Sequence, residues 1–130
     1  MKRLLDTNAY TALRAGHAHT ANLARESDEI LMSAIVIGEL LFGFRSGGRT
    51  QRNIDELTAF LARPFVRRLN ATPTTADRYG RIATELRRRG TPIPTNDIWI
   101  AAHCMESGGE LITFDRHFEN VAGVAVTILE

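Results

Sequence analysis

The chain has 130 residues, 44% of them hydrophobic and 24% charged, with a formal net charge of +1. That length fits one domain, residues 1–130, and the near-neutral balance excludes a global field pulling the protein onto nucleic acid or membrane. A single cysteine, Cys104, excludes an intrachain disulfide and points to a reducing cytoplasm.

Arg3–Asp6 reads as a short first strand. Met1-Lys2-Arg3-Leu4-Leu5 starts like a signal peptide, but Asp6 cuts the apolar run short, and no later stretch is long enough to span a bilayer. Thr7–Ala15 reads as a helix stopped by Gly16, and Ala21–Glu26 as a further helical turn. Glu29–Met32 is a second strand, and Ser33 is the candidate N-cap of a helix from Ala34 to about Phe44. Ser46-Gly47-Gly48 breaks the chain.

In Gln51–Ala62, Ile54, Leu57, Phe60 and Leu61 recur at helical spacing, and Pro64 ends that helix. Val66–Asn70 is a weak strand. Thr74–Arg89 is helical, with Tyr79, Ile82, Ala83 and Leu86 on one stripe and Gly90 just past its end. Thr95 is the candidate N-cap of a helix to about Glu106, stopped by Gly108-Gly109. Leu111–Phe114 and Val124–Leu129 complete the strands. Strands alternating with helices predict an α/β domain with a mainly parallel central sheet flanked by helices.

Four carboxylates stand where apolar sequence surrounds them. Asp6 ends Leu4-Leu5, Glu39 sits within Ala34–Phe42, Asp97 opens Ile98-Trp99-Ile100-Ala101-Ala102, and Asp115 closes Leu111-Ile112-Thr113-Phe114. Burying an unpaired carboxylate is costly, and a divalent cation is the natural compensation if the four converge. In open parallel sheets, ligands bind beyond the carboxyl ends of the strands. Asp6 and Asp115 lie at such ends, Asp97 lies in a helix first turn at the same edge, and Glu39 lies close enough to lean back toward it.

Each acid also has a purely structural reading. Asp6 can cap the next helix, Asp97 can complement a helix dipole, and Asp115 can serve a turn. Glu39 is harder to explain this way, because its helical neighbours Ile35, Val36, Phe42 and Gly43 offer no cation.

The pattern resembles the PIN-domain family of metal-dependent ribonucleases, and more narrowly the VapC toxins of bacterial toxin–antitoxin pairs. The residues that carry the likeness are Leu5-Asp6-Thr7-Asn8, Ser33–Leu40, Pro94–Ala102 and Leu111–Phe118. It spans nearly the whole chain and is weakest between Gly47 and Thr91. It implies a single PIN-like domain that cleaves RNA phosphodiester bonds internally. By the family pattern, Asp6 and Asp97 are the principal metal ligands, and Glu39 and Asp115 complete the acidic site. Thr7, Asn96 and Thr113 are expected to orient these carboxylates by hydrogen bonds. Four acids suit Mg²⁺, with Mn²⁺ as a substitute, and no His/Cys cluster supplies a zinc-type set. With no obvious side-chain general base, activation of water falls to the metal. The Ile35–Phe44 helix, with Phe42 and Phe44, is apolar on more than one face, which suits core packing or a partner, and the resemblance also implies a homodimer and a cognate antitoxin that covers an apolar groove and blocks the acidic pocket.

The remaining motifs have plainer readings. His17 and His19 fall in an expected loop, His103 on a helix surface or partly buried, and His117, close after the acids, in a packing role or in contact with substrate. Cys104 reads as an inert core thiol. Lys2 is the only lysine, and arginine forks match phosphate geometry better than lysine does, although a GC-rich genome produces the same bias. Arg87-Arg88-Arg89 suits the end of a helix dipole. Three rivals stand beside the nuclease. A haloacid-dehalogenase-like phosphatase needs a second early Asp, where this chain has Asn8, and a late lysine, which it lacks. A signalling receiver domain shares the lysine requirement. A PIN fold kept only as a binding module is opposed by the full acidic set.

Overall fold

The computed structural model describes residues 1–130, and every strand pairing in it is parallel. The strands are β1 (Lys2–Leu5), β2 (Glu29–Ser33), β3 (Val66–Leu69), β4 (Glu110–Thr113) and β5 (Ala125–Ile128), in the spatial order β3-β2-β1-β4-β5. The three inner strands are nearly continuous apolar runs because helices cover both faces of a parallel sheet. Leu4, Leu5, Ile30, Leu31, Met32, Leu111 and Ile112 are all buried there.

The chain steps outward from β1 to β2 to β3, then returns across the sheet to place β4 on the other side of β1. The order therefore reverses between β1 and β4. In this architecture such a switch point is where the crevice opens. At the opposite edge, the buried guanidinium of Arg3 donates to Glu110 Oε1 at 3.1 Å and to the Leu23 carbonyl and Ser27 Oγ at 3.0 Å each. A buried arginine with these partners is satisfied rather than stranded.

Six helices follow: α1 (Thr7–Arg14), α2 (Ala18–Arg25), α3 (Ala34–Arg45), α4 (Thr50–Leu61), α5 (Pro73–Arg89) and α6 (Thr95–Ser107). A short 3-10 helix spans Arg116–Asn120. Ser33 caps α3 as expected, its Oγ accepting from the Ile35 amide at 3.0 Å. Gly90 and Gly108 close α5 and α6 in the left-handed region, at φ 71° and 73°.

Local differences from the sequence reading have physical causes. The second helix begins at Ala18 rather than Ala21, because His17 caps it: the imidazole accepts from the Thr20 amide, and Nδ1 lies 2.9 Å from the buried Thr20 Oγ1. His17 is thus a helix cap and His19 a helical residue, not a loop pair. The cap of α6 is Pro94, not Thr95, and no side chain bonds the freed amides there. Thr72 and Thr75 form a capping box that starts α5 at Pro73. His103 is fully buried rather than superficial, with Nδ1 2.9 Å from Ser33 Oγ.

Candidate metal centre

Asp6 follows β1 directly and caps α1, one carboxylate oxygen accepting from the Ala9 amide at 2.9 Å. The structural reading of Asp6 is therefore real, but it engages one oxygen only. The other, Oδ2, accepts from the Thr113 hydroxyl in a very short bond. Thr113 ends β4, next to β1, and its own oxygen accepts from the Asp115 amide at 2.9 Å.

Glu39 lies on α3, facing the same edge. Thr7 Oγ1 donates to its Oε1 at 2.6 Å, and Asn96 Nδ2 donates to its Oε2 at 3.3 Å. Thr7 neighbours Asp6 and Asn96 neighbours Asp97, so the two donors tie Glu39 to both neighbouring acids. Asp97 occupies the first turn of α6 and is half-buried. Asp115 caps the 3-10 helix, its Oδ1 accepting from the His117 amide at 2.8 Å.

The four acids feel one another. Burial pushes the Asp97 carboxyl up to about 6, helped by the charges of Asp115, Glu39 and Asp6 and opposed by His117. Burial also raises Asp6; the bonds from Thr113 and the Ala9 amide pull it back, while Asp115 and Glu39 push it further up. The tightest grouping is Asp97, Asp115 and His117, whose ligand atoms all lie within 4.8 Å of one another. Asp6 is linked to Asp115 through Thr113, Glu39 is held by the neighbour of Asp97, Asn96, and both acids act on Asp97 by their charge.

No lysine or arginine pairs with any of the four acids. A strongly negative pocket dominated by carboxylate oxygens, with no lysine or arginine in it, fits a divalent ion. His117 was not foreseen as part of this cluster. It is exposed rather than packed, and its Nδ1 sits 3.1 Å from Asp115 Oδ1. The readable signal was the spacing Asp115-Arg116-His117: an Asp that caps the amide two residues on brings that residue's side chain back toward its own.

Beside the acids runs an open groove of about 630 Å³, lined by Ala34, Ile35, Gly38, Glu39, Phe42 and Asn96. Val36 and Leu40 bury the inner face of α3, whereas Phe42 is 76% exposed. The apolar character of α3 on several faces thus divides between core and groove.

The PIN-domain family model matches residues 3–124. A "Ribonuclease VapC" from Haemophilus influenzae is 32% identical over 93% of this chain and 92% of its own length. A "tRNA(fMet)-specific endonuclease VapC" from Salmonella typhimurium is 28% identical over 97% and 96% of the two chains. Among solved structures, VapBC2 from Rickettsia felis bound to a promoter DNA fragment superposes with a TM-score of 0.86 at 25% identity, covering all of both chains. DNA-bound VapBC from Salmonella typhimurium superposes with a TM-score of 0.83 at 27% identity over 98% of each chain. The same acids that the fold gathers at its switch point thus sit within a sequence and an architecture shared along almost the full length, and the chain belongs to the PIN-domain family, among its VapC-type members.

Proposed function

We propose that this protein is a metal-dependent endoribonuclease, the toxin of a type II toxin–antitoxin pair, which hydrolyses RNA phosphodiester bonds. The observation that carries the reading is the convergence of Asp6, Glu39, Asp97 and Asp115 at the crevice between β1 and β4 with no basic side chain to neutralise them. Its relatives are a ribonuclease and a tRNA-specific endonuclease by name, which supports the reaction class.

In this reading Asp6 and Asp97 hold Mg²⁺, with Mn²⁺ as a substitute, and Glu39 and Asp115 complete the acidic shell. The ion, when bound, polarises the phosphoryl oxygens and lowers the pKa of a water. The chain's own work is to present the oxygens. Thr113 and the Ala9 amide fix both oxygens of Asp6. Thr7 and Asn96 fix those of Glu39. Asp97 must shed a proton that its surroundings hold until about pH 6, so cation binding strengthens as pH rises through that value.

The groove along α3 suits the antitoxin partner. A segment laid across Phe42 covers apolar surface and passes directly over Glu39 and Asn96. Relatives captured as VapBC complexes support such an assembly. No helix is long and apolar enough to cross a membrane, and the free thiol of Cys104 suits a reducing cytoplasm.

The test is cleavage of end-labelled RNA by the purified protein with magnesium, with chelator, and with the Asp97→Asn variant. Internal cuts that require both metal and Asp97 support the reading. Phosphate release from small esters would instead indicate a phosphatase. Inertness toward every RNA class, transfer, ribosomal and messenger, would leave a binding module.

A further inference from the structure

We propose that His117 is a nitrogen ligand of this metal centre and shifts its preference from magnesium toward manganese. The inference rests on the reading of the acidic crevice as a divalent-cation site. Its geometry is specific to this imidazole. Nδ1 of His117 lies 3.1 Å from Asp115 Oδ1, and one ligand atom each of His117, Asp115 and Asp97 lies within 4.8 Å of the other two. Two cis donors on an octahedral ion with bonds of about 2.1 Å stand about 3.0 Å apart, so the Nδ1–Oδ1 spacing matches one edge of such an octahedron.

The Asp115 cap accounts for the position, and no core packing competes with it. The His117 side chain is 57% exposed, and its one polar side-chain contact is Asp115. It does not serve the core. The backbone holds it in place nonetheless: Asp115 accepts from the His117 amide at 2.8 Å, and the buried ring of Phe118 anchors the following residue. The backbone is therefore held on both sides of His117, and the imidazole lies at the rim of the acidic pocket beside Asp115.

The chemical consequence follows from ligand softness. Magnesium is a hard ion that strongly prefers oxygen and retained water. Imidazole suits the later first-row ions better, and manganese stands between, accepting carboxylate and nitrogen together. A donor set of carboxylates plus one imidazole favours manganese over magnesium more than carboxylates alone do.

The test uses full-length, untagged protein and reads binding rather than cleavage. Pulsed electron paramagnetic resonance of bound Mn²⁺ detects a directly coordinated imidazole nitrogen. Free-Mn²⁺ titration, with Mg²⁺ as competitor, gives the two affinities. The expected results are a nitrogen modulation in the parent protein, its loss in His117→Gln, a fall of about tenfold in Mn²⁺ affinity and a fall of less than about twofold for Mg²⁺. Metal-free melting of His117→Gln at the parent temperature verifies that the variant folds; if it does not, His117→Asn is put through the same measurements. Bound Mn²⁺ without nitrogen modulation, a modulation that survives the substitution, or an unchanged Mn²⁺/Mg²⁺ ratio would each overturn the role of His117 while leaving the acidic centre intact. Absence of any Mn²⁺ or Mg²⁺ binding to the parent protein would overturn the centre itself.

Discussion

The hydroxyl of Thr113 bridges Asp6 and the backbone of Asp115, joining residues 107 positions apart in sequence, Asp6 and Thr113, at adjacent strand ends. One fully buried side chain thereby holds the carboxylate of Asp6 and the backbone of Asp115. Thr113→Val keeps the shape and removes the bridge. It leaves an Asp6 oxygen and the Asp115 amide without their partner, a loss of about 1–3 kcal/mol in urea unfolding. Cleavage is expected to fall by roughly 10- to 100-fold, the usual cost of losing a carboxylate's hydrogen-bond support. Thr113→Ser should retain most of both.

Asp97 stands apart from Asp6 in what it does for the metal-free fold. Its carboxyl is pushed up to about 6 by burial and by its acidic neighbours. The unfolded chain lets go of that proton near the ordinary value of 3.8. Between those two pH values the native state binds the extra proton, so the contribution of this carboxyl to metal-free stability is fully present below about 4 and is lost as pH rises through about 6. Asp97→Asn is expected to abolish cleavage, to match or exceed the parent's metal-free stability at pH 7, and to flatten this part of the pH profile. Melting curves between pH 4 and pH 7 check all but the first; a strongly destabilised variant would instead make Asp97 a structural cap.

Two substitutions at Asp6 separate capping from chemistry. Asparagine caps helices about as well as aspartate, whereas alanine forfeits about 1 kcal/mol. Asp6→Ala is therefore expected to be less stable than Asp6→Asn by roughly that amount in chemical denaturation. Both are expected to be inactive on RNA, because neither supplies the charge.

A divalent ion that only the folded state can assemble must stabilise that state. At ten times its dissociation constant, magnesium is expected to add about 1.4 kcal/mol and raise the melting temperature by several degrees. The rise should vanish in Asp97→Asn. No shift at millimolar metal in the parent would count heavily against the centre.

Phe42 is 76% exposed at the lip of the groove that leads to Glu39 and Asn96. Phe42→Ala should leave folding and intrinsic RNA cleavage unchanged. It should weaken the cognate antitoxin by about 2 kcal/mol, roughly 30-fold, as expected for an aromatic anchor. Titration calorimetry with the antitoxin checks this.

The strand–helix alternation and the four acids were legible in the chain because each rests on a local signal. Apolar runs marked the inner strands, and Ser33 and Gly90 marked helix ends. What escaped was tertiary or conditional. Nothing near His17 indicates that it caps a helix, since histidine is an uncommon cap and its partner Thr20 gains its importance by burial. His103 is buried with its Nδ1 2.9 Å from Ser33 Oγ, a partner 70 positions away that no local pattern announces. His117 joined the acids only once the Asp115 cap had folded the next turn back. The order β3-β2-β1-β4-β5, which puts Asp6 beside Thr113, followed from no single segment.

Because β4 completes the central pair with β1, a growing polypeptide cannot assemble the acid cluster until Thr113 and Asp115 have left the ribosome and crossed back to Asp6. The amino-terminal four-fifths carries Asp6, Glu39 and Asp97 yet lacks the strand that locks them. Order of synthesis thus postpones metal binding to the last fifth of the chain, and a polypeptide stopped before β4 is expected to hold no ion.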